Sequence, residues 1–273
     1  MAMTGKTAQI AALTCHLNAR LRHIPVDRDF ADNLTSRSCE FIRFVQRTSS
    51  LETPGNLPEV IESADAWIDA IEKAGASAAK IAFEHASLAL SSDWASERML
   101  GGGARWFIVV QNVSDFRAWE PFWRTRKRET PESRIWRVQY DEVDPPTVPE
   151  NSDDTVDCLF NLLGQELLLV ESFARSHGLR SSAASFAQAR ECLSADDPMS
   201  LVYFRDIVPL GTLTLAASRL LASCQAASIF GGLWSEPDLT GAEYVQYRRV
   251  SDRFYDVLNR SICAAANSTC AGH

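Results

Sequence analysis

Arg124-Thr125-Arg126-Lys127-Arg128 follows directly on Trp119 and Trp123. A guanidinium is permanently charged and presents its N–H groups as a planar fork, so several in a row can grip carboxylates or phosphates bidentately. Indole rings beside them add rigid contact area, and Arg and Trp are the residue types that dominate interface energetics. Trp119, Trp123, Arg124, Arg126 and Arg128 are therefore the candidate contact residues for an acidic protein or an anionic small molecule. The wider stretch from Arg105 to Arg137 has the same character. It holds four of the seven tryptophans and eight of the 27 Lys/Arg residues, opposed by Asp115, Glu120, Glu129 and Glu132, in a chain of net charge −8. The competing structural reading makes Trp106 and Trp136 core residues of paired strands whose wet face carries the arginines. A third reading, stacking on single-stranded nucleic acid, is disfavoured by the acidic remainder and a pI near 5.2.

Other reactive residue types are present without the spacing that chemistry needs. Glu62, Asp65, Asp69 and Glu72 share one helical face, but no Glu-x-x-His pair accompanies them, so a solvated acidic face is expected and no metal is assigned. Of the five histidines, His85 is the one placed to point inward from an alanine-rich element, and it is the weak catalytic candidate. Gly101-Gly102-Gly103 follows a helical pattern and precedes a strand pattern, the reverse of a phosphate loop. The seven cysteines are scattered, with no C-x-x-C pair, which fits reduced thiols in a cytosol. No basic segment followed by an apolar core opens the chain, so the expected location is cytoplasmic. From Ile207 to Trp234 Arg219 is the sole charge. That central Arg and the flanking Pro209 and Gly231 argue for a buried helix over a membrane span.

These side chains need elements to hold them. Ile10, Leu13, Leu17 and Leu21 predict a helix over 7–23, stopped by Pro25. A second helix is expected over 29–47, a third opening at Pro58 and carrying Trp67 and Ile71, and an alanine-rich continuation over 76–90. The period then changes. Trp106-Phe107-Ile108-Val109-Val110 reads as a covered strand, and Ile135–Asp141 alternates as a half-buried one. Between them, 114–128 reads as a helix or turn-helix disturbed by Pro121. Helices follow over 155–177, ending at Gly178, then 181–193, 198–208, 211–230 and 240–266, the last opened by the capping box Thr240-Gly241-Ala242-Glu243.

Phe107 to Trp119, a strand followed by Asp-aromatic-x-x-Trp, resembles the first strand and helix start of small ferredoxin-like dimeric α/β-barrel domains. The resemblance is confined to this stretch and implies a helix after the strand; it carries no functional residue. The composition, 46% hydrophobic and 23% charged, is that of a globular protein. The expected architecture is mainly α (α+β): one domain over 1–273, helical over 7–100 and 154–267, bundle-like, with a small two- or three-stranded β element around 104–143. The expected function is a soluble binding protein with an Arg/Trp patch for an acidic partner or anionic ligand, no membrane contact, and homo-oligomer formation as another use of the patch. The alternative is an enzyme on a helical scaffold, cofactor-dependent, with His85 and arginines lining a pocket; the sequence names no cofactor.

Overall fold

A computed structural model describes residues 5–26, 29–47, 59–85, 104–113, 115–125, 134–146, 154–229 and 239–270. Helix α1 spans Gly5–Leu21 and α2 Ala64–Lys73. After the sheet come α3 at Val156–Ser176, α4 at Arg180–Ser194, α5 at Leu215–Ala227 and α6 at Gly241–Asn267. The strands are β1 Cys39–Gln46, β2 Glu59–Ile61, β3 Ala78–His85, β4 Ala104–Gln111, β5 Phe116–Thr125 and β6 Trp136–Val143. They form one six-stranded sheet in the order β2-β1-β6-β5-β4-β3. β1 and β6 run parallel and every other pair is antiparallel.

This sheet corrects the expected mainly helical bundle with a small β element: six strands, in a mixed sheet, stand where two or three were expected. Four segments read as helix hold strands, among them Glu59–Ile61 at the start of the helix expected from Pro58, which pairs with β1 while the helix itself begins only at Ala64. Within 29–47 the residues Cys39–Val45 pair with β6, with Ile42 and Phe44 facing inward. Ala78–His85 lies within the alanine-rich 76–90, and Phe116–Thr125 within 114–128. The resemblance that implied a helix after β4 fails at the same place. The alternation in β1 and β5 was hidden because both faces carry apolar or long side chains: Phe41 and Val45 alternate with Ile42 and Phe44, and Phe122 with Trp123. Strand preference of this kind is set by packing against neighbours more than by intrinsic tendency.

One sheet face packs under α1, α2 and α6. Phe44, Tyr140, Val138, Trp119, Ile108, Val110, Trp106 and Ile81 are all buried there. Trp67 of α2 is the wedge: it stacks on Phe44 at 4.4 Å and meets Trp119 edge-on at 5.3 Å. Tyr140 stacks on the other side of Phe44 at 4.9 Å, and its hydroxyl donates to Oε1 of the buried Gln9 on α1. α6 continues past the sheet into a second layer with α3, α4 and α5, where Phe186 and Phe254 meet edge-on at 5.3 Å. Gly178, at φ +70°, makes the turn from α3 to α4, a left-handed conformation that glycine adopts without strain. The expected helix over 198–208 shortens to one 3-10 turn at Pro198–Leu201, and that over 211–230 to Leu215–Ala227. No helix among the described residues is long and apolar enough to cross a membrane.

β3 closes one end of the sheet, and its outer side is covered by amide side chains in place of a strand. Asn18 of α1 accepts from the Ala79 N–H at 2.8 Å and donates to the Ala79 carbonyl at 2.8 Å. Two residues on, Asn267 of α6 accepts from the Ile81 N–H at 2.6 Å and donates to the Ile81 carbonyl at 3.0 Å. Each carboxamide makes the pair of bonds that a neighbouring strand residue would make, so the edge offers no open ladder at these positions.

Candidate anion-binding site at one end of the sheet

The arginines of the 105–137 stretch separate by where the sheet register puts them. β5 pairs with β4 only from Phe116 to Trp119 but with β6 as far as Thr125. Pro121, which has no N–H to give a ladder, stands two residues past the last β4 pair. Beyond that point β5 is held by β6 alone, and the register sets Trp123 opposite Val138 and Arg124 opposite Arg137. Trp123 therefore points inward and Arg124 outward. Across β6, Arg137 is in register with Phe41 of β1.

Trp119 is fully buried in the aromatic cluster under α2. Trp123 is half-buried, packs edge-on to Trp136 at 5.3 Å, and lies against Gly5 in the first turn of α1, where a Cβ would come within 3.3 Å of its ring. Arg124 is exposed. Arg126 and Arg128 lie outside the described residues. His85 is the last residue of β3, in register with Ala104, and only its backbone is described. Of the five contact residues expected from sequence, the structure thus sets Trp123 and Arg124 at the same sheet end but on opposite faces, and Trp119 in the core.

The other arginines of the stretch have carboxylates. Arg105 forks onto the buried Glu120 at 2.9 and 2.6 Å and reaches Glu84 at 3.3 Å, while its guanidinium covers the Phe107 ring at 4.9 Å. Lys6 approaches the same group from α1; burial pushes its amine below the usual lysine range, an effect that the Glu120 charge opposes and Arg105 reinforces. Arg117 forks onto Glu142 at 2.6 and 2.8 Å and lies over Trp119 at 5.0 Å. Arg137 binds Glu40 at 2.7 and 3.3 Å. Hydrogen bonding to these carboxylates holds all three guanidinium groups above the ordinary arginine pKa. Arg124 has no ion pair with any described residue, and its direct cross-strand neighbour carries the same charge. Glu40 already neutralises Arg137, so Arg124 is the described strand guanidinium of this stretch left without a described carboxylate.

The far end of the sheet has opposite character. A cleft of about 710 Å³ opens where the parallel strands β1 and β6 end, lined by Arg47, Arg117, Glu59, Asp115, Glu142 and Asp144 among others. Its two arginines are committed: Arg117 to Glu142, and Arg47 to Asp144 at 2.6 Å. His85 is not among its lining residues, since β3 enters at this end and finishes at the other. No cluster of three or more His, Cys, Asp or Glu suited to a metal occurs among the described residues. Asp69 and Glu72, expected as a solvated acidic face, both bind Arg20 of α1, and Asp65 accepts the Phe30 N–H at 2.8 Å.

Comparison with protein-family models, with curated proteins and with solved structures finds no match to this chain. The functional reading therefore rests on the geometry alone.

The pairing of Arg124 with Arg137 was beyond reach of the sequence. Alternation over Trp136, Val138 and Tyr140 does put Arg137 on the wet face, but nothing local fixes the register of β5 against β6. The carboxylates that occupy Arg105 and Arg137, Glu120 and Glu40, come from neighbouring strands and carry no signature of that role.

Proposed function

We propose that the protein is a binding module that recognises an acidic protein partner or an anionic ligand through the Arg124 end of its sheet. The observation that carries the reading is the exposed Arg124, set opposite Arg137 and without a carboxylate among the described residues, in a stretch whose other described strand arginines are paired. Two features support it. The strand that presents Arg124 is anchored on its inner face by Trp123, which packs against Trp136 and Gly5. Arg126, Lys127 and Arg128 follow Arg124 directly in the chain.

The test is charge reversal with a defined probe. A biotinylated octaglutamate peptide is titrated onto the native chain, onto Arg124→Glu, and onto the variant with Arg124, Arg126 and Arg128 all changed to Glu. Arg124→Glu weakens binding at least about tenfold, equivalent to about 1.4 kcal/mol, and the triple variant abolishes it, while both keep the native circular dichroism spectrum. Binding to the native chain falls steeply with added salt, as exposed charge pairs are screened. Equal affinity of all three proteins would remove the proposal.

A further inference from the structure

We infer that the acidic partner binds as an extended peptide strand, adding to the edge of β5 that β4 leaves unpaired beyond Trp119, with a carboxylate set against Arg124. This deepens the Arg124 reading and rests on it. β4 and β5 part at this point. Their ladder runs from Gln111 opposite Phe116 to Ile108 opposite Trp119 and goes no further. Residues 104–107 of β4 stay in register with β3, and residues 120–125 of β5 with β6. The result is a wedge that opens at the Arg124 end of the sheet, its root crossed by the fork of Arg105 on Glu120. Among the described residues, no strand pairs with the side of 122–125 turned away from β6. A strand bonded on one side only offers its remaining N–H and carbonyl groups to a second extended chain.

This stretch is open to solvent: Phe122 is 44% exposed, and Arg124 and Thr125 are exposed as well. The outer side of β3, by contrast, is already met by Asn18 and Asn267, and β2 is only three residues long. Phe122 and Arg124 stand two residues apart and so share the outer face of the sheet. Trp123 between them turns inward onto Trp136 and Gly5 and holds β5 in place where β4 no longer does. Charge selects the occupant. Glu120 is taken up by Arg105, and Arg137 by Glu40, which leaves Arg124 as the cation that a partner meets. An added strand is thus read by main-chain bonds along the edge and by side chains at a two-residue period. One apolar side chain lies beside Phe122, and one Asp or Glu lies beside Arg124. Pro121 has no N–H to offer, so the added ladder begins after it.

The experiment uses the native full chain and two fluorescent peptides of the same sequence, four repeats of Glu-Val. One has ordinary amides. The other is N-methylated on every backbone nitrogen, which keeps its charge and side chains but removes the N–H donors of a ladder. Anisotropy titration gives the two dissociation constants, and hydrogen exchange follows the amides of residues 122–125. The ordinary peptide binds at least about tenfold more tightly than the methylated one, and saturating amounts of it slow exchange within 122–125. Arg124→Glu weakens its binding by a similar factor. Equal affinity for the two peptides, no binding of either, or unchanged exchange at 122–125 in the saturated complex overturns strand addition. The two readings fail in different ways. Should both peptides bind equally and Arg124→Glu release both, the Arg124 site stands and the added strand falls. Should Arg124→Glu hold the ordinary peptide as tightly as the native chain does, the Arg124 reading falls and takes the strand with it.

Discussion

Arg105 and Arg124 carry the same side chain in the same stretch, and the structure gives them different work. Arg105 lies over Phe107 and is clamped by the buried Glu120, so its charge is consumed in holding strands together. Glu120→Gln leaves that fork half-filled and is expected to cost about 1–3 kcal/mol, read as a lower urea midpoint; an unchanged midpoint would show the pair to be idle. Arg124→Glu, by contrast, should leave that midpoint within about 0.5 kcal/mol of native. His16 supplies a pH dependence. It is buried on α1, edge-on to Phe30 at 5.2 Å, with Nε2 3.5 Å from the Asp206 carbonyl and 3.5 Å from Asn33 Nδ2. Burial holds its imidazole below the ordinary 6.5, and the charges of Asp206 and Asp65 only partly offset this. The folded form thus binds the proton less readily than the unfolded chain. Its stabilising contribution is complete above about pH 6.5 and is lost as pH falls through the lower folded value. Urea midpoints measured from pH 7.5 down to pH 5 should fall less in His16→Gln than in the native chain, and parallel curves would refute the assignment. None of these distinctions is visible in residue type; they depend on which carboxylate or carbonyl another segment delivers.

At the level of elements, the helices were legible where their ends carry chemistry. Thr155 and Thr214 sit at the N-caps of α3 and α5, accepting from the N–H groups of Cys158 and Ala217 at 3.2 Å each. Thr240, read as a capping box, occupies the N-cap of α6 but makes no side-chain cap bond. Thr155→Ala and Thr214→Ala are therefore expected to cost about 1 kcal/mol each, whereas Thr240→Ala should stay within about 0.5 kcal/mol. A thermal melt of the three variants separates these outcomes, and an equal loss at Thr240 would contradict the geometry. The strands were legible only where one face was plainly wet, as in β6, or where a β-branched run was continuous, as in β4. β3 shows why the others were not. Its alanines favour helix locally, and the conformation is decided by β4 on one side and by Asn18 and Asn267 on the other, residues distant in the chain.

For the molecule as a whole, α6 is the member shared between the sheet layer and the layer of α3, α4 and α5. Phe254→Ala removes a fully buried ring that packs against Phe186 and should cost about 3–5 kcal/mol. Because α6 serves both layers, the native chain should unfold in one step. Tryptophan fluorescence, to which Trp67, Trp106, Trp119, Trp123 and Trp136 around the sheet contribute five of the seven indoles, and far-ultraviolet circular dichroism, dominated by the helices, should give coincident transitions before and after the substitution. Two separated transitions would mean that the layers fold independently. The sequence by itself determined the positions of the long helices, the strands β4 and β6, the wet face of β6 and the concentration of Arg and Trp between 105 and 137, because each is written in a local period or composition. Only the tertiary structure decided that β1, β2, β3 and β5 are strands, that Trp119 is core, that Arg124 stands opposite Arg137, and that two asparagines replace a strand along β3. Those outcomes depend on register between segments far apart in the chain, and register is fixed by what each segment packs against and bonds to, which no local pattern of residues records.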